Sequence, residues 1–233
     1  MDKSDRYLKL LNVVAALLLL ASTALVFLYA PREATMGEVQ RIFYFHVPSA
    51  WVGMLAFAVT FVAGIVYLRT GNRQWDRLGL SSVEIGLVFT IMTTASGSIW
   101  ARPAWNTWWT WDPRLVTYTI MALLYVAYLM LRQSIEEPDR QMRFAAIYAI
   151  VSFVSVPLTF FSIRWWRTIH PVVIGSDSPT AQGGFDMTSP MRLTFFLSLF
   201  TFTVFYAALL WNRVRLARLA ERVETLKMKL QSA

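Results

Sequence analysis

Six apolar stretches, each long enough to cross about 30 Å of hydrocarbon as a helix, leave this 233-residue chain little choice of fold. They lie near 8–29, 49–68, 80–100, 114–131, 143–162 and 190–211. Hydrophobic residues make up 56% of the chain and charged ones 15%, against about 25% charged in soluble domains. One soluble core of this length could not hide so much apolar surface, whereas a chain solvated by lipid need not. The expected fold is all-α, a polytopic integral membrane protein with six transmembrane helices. One membrane domain is expected over 1–212, followed by a basic tail over 213–233. The first stretch follows a basic start and runs roughly 20 residues, longer than a signal-peptide core of about 7–15. It therefore reads as a retained span. No internal repeat is visible. The longest connection, 163–189, contains Gly175, Pro179, Gly183 and Gly184 and reads as partly flexible.

The formal charge of +8 could suggest a nucleic-acid partner, but the basic residues lie between apolar stretches and form no patterned patch. The bias of Lys and Arg toward cytoplasmic loops explains them better. Of the 22 Lys and Arg, 15 fall on the side holding both termini and the 69–77 and 132–143 connections, and 7 on the other. Both termini are thus expected inside. This puts three features outside: His46 before span 2, the tryptophan-rich segment 100–112 between spans 3 and 4, and His170 after span 5.

With no cysteine, the chain lacks disulfides, thiolate metal sites, iron–sulfur clusters, thiol nucleophiles and the CxxCH haem attachment. What remains chemically distinctive is aromatic and imidazole. Trp100, Trp105, Trp108, Trp109 and Trp111 precede Asp112, Pro113 and Arg114. An interfacial aromatic belt accounts for one or two tryptophans per interface. Five so close together, in a segment that leaves the bilayer and returns, suggest a flat stacking platform for a large planar apolar ligand. Two histidines are too few for a closed zinc site, which takes about four protein ligands. They do match the two axial positions of a haem iron, whose porphyrin supplies the other four nitrogens. The haem propionates would call for cations. Arg102 and Arg114 bracket the tryptophans, and Arg41, Arg164 and Arg167 flank the histidines. Any of these could instead solvate a loop end or pair with Glu33, Glu38 or Asp112.

At these residues the chain resembles the cytochrome c maturation protein C (CcmC) family, within a wider group defined by a tryptophan-rich WWD motif and flanking histidines. The family pattern WGxWWxWDxRLT stands here as Trp105-Asn106-Thr107-Trp108-Trp109-Thr110-Trp111-Asp112-Pro113-Arg114-Leu115-Val116. The contexts Arg41-Ile42-Phe43-Tyr44-Phe45-His46-Val47-Pro48 and Trp165-Trp166-Arg167-Thr168-Ile169-His170 are also similar, as is the six-span layout. Asn106 replaces the usual glycine, Val116 a common threonine, and Pro171 restricts the backbone of His170. Asn tolerates left-handed geometry better than most residues.

The resemblance implies that His46 and His170 are axial ligands of a b-type haem held against Trp105, Trp108, Trp109, Trp111 and Asp112, with Arg102 and Arg114 near the propionates. It implies a protein of the bacterial inner membrane that is not an enzyme. It also implies handover of haem to a membrane-anchored chaperone (CcmE-like), within an ABC assembly of CcmA-, CcmB- and CcmD-like subunits. The chain has no GxxxxGK[ST] phosphate loop, so any ATP work belongs to another chain. Two other readings stay open. One is a haem lyase or redox membrane enzyme of the wider group, and the other is a transport subunit for a different planar solute.

Three further features have simple readings beside functional ones. Leu216, Leu219, Val223, Leu226 and Leu230 form one apolar stripe on a basic tail that could anchor topology, lie on anionic lipid or pack on a partner. Glu84, near the cytoplasmic start of span 3, reads as a hydrogen-bonded structural acid or an intramembrane functional one. Pro157 is expected to kink span 5.

Overall fold

The structure, a computed structural model, describes residues 3–171 and 187–231. The Gly/Pro-containing part of the long connection lies outside them. The described chain is all-α. Helix α1 covers Lys3–Ala24 and ends in a wider π-helical turn, Leu25–Tyr29. A 3₁₀ turn, Glu38–Ile42, leads into α2, Phe43–Thr70. There follow α3 (Arg73–Trp105), α4 (Pro113–Gln133), α5 (Pro138–Ser152), α6 (Ser155–Trp165) and α7 (Ser189–Gln231). Among the described residues, six helical segments are long and apolar enough to cross a membrane, with α5 and α6 forming one of them. The chain is therefore a multi-pass membrane protein.

Most helices overrun the spans read from hydropathy. Hydropathy registers only lipid-compatible residues, while the backbone ladder continues into polar ones. Thus α3 begins at Arg73, capped by the Asn72 side chain, and ends at Trp105. The expected boundary at 212 falls inside a single helix, since α7 runs unbroken to Gln231. At its 43 residues and 1.5 Å per residue it is about 65 Å long, twice what a bilayer core needs. The break between α5 and α6 sits at Phe153–Val154, one turn before Pro157. Proline has no N–H to offer the Phe153 carbonyl, which instead accepts from Val156 N at 2.9 Å. The helix is interrupted where the kink is expected.

The centre of the bundle is the antiparallel pair α2 and α3, held together by small residues. A Cβ on Gly86 would stand 2.9 Å from both Ala56 Cβ and Phe57 Cε1, so only glycine permits this approach. Ser82 Oγ donates to the Ala56 carbonyl at 2.7 Å and lies 2.6 Å from Tyr206 of α7. Such interhelical bonds contribute on average about 0.6 kcal/mol each, so close packing carries most of the association. Phe57 stacks on Tyr125 of α4 at 3.5 Å, and Phe61 on Phe153 at 4.4 Å. On the other side α1 packs along α7, where Ser22 and Ser198 meet at 3.0 Å. Glu84 is paired with Arg213 of α7 at 2.7 Å.

Candidate functional site

One end of the bundle opens into a cavity. Its walls come from the start of α2 (His46, Val47, Ala50), the end of α3 (Thr93 to Trp105), the start of α4 (Arg114, Leu115, Tyr118) and the end of α6 (Phe160, Ile163, Arg164). Trp108 and Trp109 from the α3–α4 connection, and His170 and Pro171 beyond α6, complete it. The lining is mostly apolar and aromatic, with a few convergent polar groups, as ligand cavities usually are. Residues far apart in sequence meet here because the two histidines and the tryptophan segment all emerge at the same end of the antiparallel helices.

His46 is seated by α3. A Cβ on Gly97 would lie 2.8 Å from its Cε1 and 3.3 Å from its Nδ1, so the ring occupies space only a glycine leaves. Its Nδ1 lies 3.1 Å from Ser96 Oγ. The single Ser96 hydroxyl proton is already directed to the Met92 carbonyl (2.7 Å) or the Thr93 carbonyl (3.2 Å). With its proton on either carbonyl the hydroxyl accepts from His46, an arrangement that puts the imidazole proton on Nδ1 and leaves the Nε2 lone pair for a metal.

His170 reaches the same tautomer by a different route. Its Nδ1 lies 3.3 Å from the Pro171 carbonyl, which can only accept, so Nε2 again carries the lone pair. Burial, reinforced by the positive charge of Arg114 and by His46, lowers the pKa of His170 to about 3 and keeps the ring neutral. Neutral imidazole is the metal-ligating form.

Asp112 ties the His170 segment to α4. Its carboxylate caps α4 by accepting from Arg114 N (2.9 Å), and it also accepts from Thr168 Oγ1 (2.6 Å) and Ile169 N (3.0 Å). Thr168 Oγ1 in turn accepts from His170 N at 3.1 Å. The acid of the tryptophan motif is thus absent from the cavity wall and bonds the two residues before His170.

The candidate residues fall into two groups. His46, His170, Trp105, Trp108, Trp109 and Arg114 line the cavity, while Trp111, Asp112 and Arg102 do not. Trp111 is 79% exposed, and Arg102 donates to the carbonyl and the side-chain oxygen of Asn106 at 2.8 and 2.9 Å. Of the flanking arginines, Arg164 also lines the cavity. Arg41 is engaged with the Val26 and Ala30 carbonyls at the end of α1, and Arg167 is exposed. The indoles do not form the flat platform expected of them. Trp100 and Trp105 meet at 88°, and Trp109 and Trp111 at 85°, the edge-to-face arrangement favoured by the ring quadrupole. They make aromatic walls, and Trp105 leans toward His170 with 6.4 Å between ring centroids.

Asn106 sits where the motif usually has glycine. At φ 55°, ψ 25° it is the one non-glycine residue in left-handed geometry among those described. The two Arg102 bonds hold it there. The sequence reading missed Ser96, Gly97 and Thr168. The unbroken run of small residues from Thr93 to Ser98, inside an otherwise apolar span, was the available signal for the first two. Thr168 had none.

Fold and site together define a polytopic membrane protein with an aromatic cavity at one end of its helices, where both histidines meet. The family model for heme exporter protein C (CcmC) matches residues 1–229. Heme exporter protein C of Bradyrhizobium diazoefficiens is 30% identical over 199 residues, covering 85% of this chain and 74% of that protein. Its counterpart in Escherichia coli is 32% identical over 189 residues (80% and 74%), and that in Haemophilus influenzae 31% over 193 residues (83% and 77%). The chain belongs to the heme exporter protein C family. That family is a haem-handling membrane component, not an enzyme.

Proposed function

We propose that this chain captures b-type haem at the extracytoplasmic end of its bundle, with His46 and His170 as the two axial ligands. It then releases the haem to a membrane-anchored chaperone for cytochrome c maturation. The observation that carries this reading is that both histidines, the only two in the chain, line one cavity with Nδ1 occupied as a donor and Nε2 available. The rest of the cavity fits the same cargo. Trp105, Trp108, Trp109, Tyr118 and Phe160 offer apolar ring faces and edges to a planar macrocycle. Arg114 and Arg164 supply cations for propionates. The buried indole N–H of Trp100 finds no acceptor among the described residues, and a carboxylate oxygen would provide one.

In this reading each residue has a defined task. Ser96 and Gly97 fix the plane and tautomer of His46. Asp112 and Thr168 hold the segment bearing His170. The aromatic walls keep water from the iron-binding positions. Transfer needs one axial bond to weaken, and no covalent chemistry falls to this chain. The chain is expected in the bacterial inner membrane with both termini cytoplasmic, working beside CcmA-, CcmB- and CcmD-like subunits and a CcmE-like acceptor. Replacing either histidine with alanine in cells that depend on this chain should abolish or strongly lower cytochrome c yield. Unchanged yield together with unchanged haem content of the purified variant would defeat the proposal.

A further inference from the structure

Beyond the cavity, the distal part of α7 carries a surface with its own pattern. Leu216, Leu219, Val223, Leu226 and Leu230 follow one another at spacings of three, four, three and four, and all are exposed, from 47% at Leu219 to 79% at Leu230. That alternation is the a/d seam of a coiled coil, narrower than the stripe of a helix packing on a globular core. The same register runs back through Asn212, which is itself exposed, to Leu209, which neighbouring helices partly cover. Asn212 Nδ2 donates to Asn12 Oδ1 of α1 at 2.8 Å, and Leu209 packs against an inner cluster of α2, α3 and α7. Among the described residues α1 begins at Lys3, and its Asp5 pairs with Arg215 at 2.6 Å. The exposed seam continues from there.

The back of this helix is gripped. Glu221, at the f position opposite the seam, pairs with Arg77 of α3, and Arg213, at an e position beside the seam, pairs with Glu84 further along α3. Helices α3 and α7 are antiparallel, so these two pairs hold the distal helix along the axis of its own span, with the seam turned outward. An anionic bilayer would also suit the basic charge. Lying flat on it, however, would require the helix to bend away from α3 and break the Arg77–Glu221 pair.

Charge along the seam identifies the occupant. Within residues 216–230 its e and g positions are Ala220, Arg222, Lys227 and Lys229, three basic and none acidic; Lys227 lies 3.5 Å from Glu224, and Arg213 and Arg215 just before the segment pair with Glu84 and Asp5. A second copy would set Arg222 against Lys227 in a parallel pair, and each against its own equivalent in an antiparallel one. Both arrangements oppose self-association. We propose that residues 216–230 of α7 form one strand of a heterotypic coiled coil, whose partner is a protein helix with an apolar a/d seam flanked by Asp and Glu.

The test uses the full chain in phosphatidylcholine nanodiscs and two labelled synthetic helices with leucine at a and d. One has glutamate at e and g, the other lysine. Binding is read by fluorescence anisotropy. The acidic helix should bind at least about tenfold more tightly than the basic one, as charge at e and g dictates. The double variant Leu219→Gln/Leu226→Gln keeps every charge and alters only exposed positions. It should lose at least about tenfold in affinity, because the seam supplies the packing. Since the chain has no cysteine, Leu226→Cys gives a single reporter thiol. That thiol should react with an aqueous maleimide equally in neutral and anionic nanodiscs, and be protected by the acidic helix. Acidic-helix binding unaffected by the glutamines would reduce the surface to plain electrostatics and overturn the proposal. So would protection of the reporter thiol by anionic lipid alone, or self-association that the glutamines abolish.

Discussion

The two histidines of the proposed haem site stand on very different supports. His46 stands four residues into α2, against Ser96 and Gly97 of α3, in the most closely packed helix pair of the molecule. His170 lies outside any helix and is held by a short chain of hydrogen bonds from Asp112 through Thr168 and Ile169. Moving His46 means repacking a helix interface; moving His170 means breaking a few bonds at one carboxylate. We infer that the first histidine is the fixed ligand and the second the one that lets go when haem is handed on. A carrier that must both hold and release its cargo has use for such an asymmetry.

The contrast can be broken most forcefully at Gly97. An added methyl would meet His46 Cε1 at 2.8 Å, and the ring cannot retreat without disturbing α2. Gly97→Ala should therefore lower haem affinity about 100-fold, the upper range for losing the groups that orient a metal ligand. Ser96→Ala, which removes only the tautomer-fixing partner, should cost about tenfold. Equilibrium haem titration of the purified variants measures both, and circular dichroism checks that the helices persist. If Gly97→Ala binds haem like the parent, His46 is not rigidly seated.

Next in size is the latch. Asp112→Ala frees the His170 segment and uncaps α4, and should weaken haem binding about tenfold while speeding its loss to apomyoglobin. Thr168→Val leaves the cap intact and should reproduce the faster loss alone. If neither changes the off-rate, His170 is not the releasing ligand.

Acidity sharpens the comparison further. The folded pKa of His170, about 3, lies below the value of about 6.5 expected in the unfolded chain. Between these values the unfolded chain binds more protons, so this group's contribution to stability is complete above pH ~6.5 and declines as pH falls toward 3. Over pH 8 to 5, however, no proton has to leave His170 before it ligates. The six-coordinate absorption spectrum should stay unchanged through that range. A transition centred near pH 6.5 would show an ordinary, solvated histidine.

The smallest effect is expected at Asn106, whose left-handed backbone lies beside the site. Asn106→Gly should leave thermal stability in detergent within about 0.5 kcal/mol. Asn106→Val should cost about 1–3 kcal/mol, because a β-branched side chain resists that conformation.

Much of the fold was legible in the sequence because membrane crossing is a one-dimensional property: apolar length locates the helices, and a proline locates a kink. Helix ends were less legible. The overrun of α3 to Trp105 and of α7 to Gln231 depends on caps and ion pairs such as Arg77–Glu221 that hydropathy does not register. At the site, residue type alone singled out His46, His170 and the tryptophans, since two histidines and five clustered indoles are conspicuous. Their mutual arrangement was not legible. Edge-to-face packing replaced the flat platform, Trp111 turned outward, and Asp112 proved to bond Thr168 and Ile169 instead of lining the cavity. Each of these depends on three-dimensional contacts that no local pattern encodes, and the Asp112 bonds join segments more than 50 residues apart.

The central claim is bis-histidine ligation by one fixed and one latched imidazole. The most direct test is the visible spectrum, with a pyridine haemochrome assay, of the purified chain loaded with haem, beside His46→Ala and His170→Ala. The parent should give a b-type, six-coordinate spectrum, and each variant five-coordinate haem or none. Retention of the six-coordinate parent spectrum by either variant, or a parent chain that takes up no haem, would contradict it.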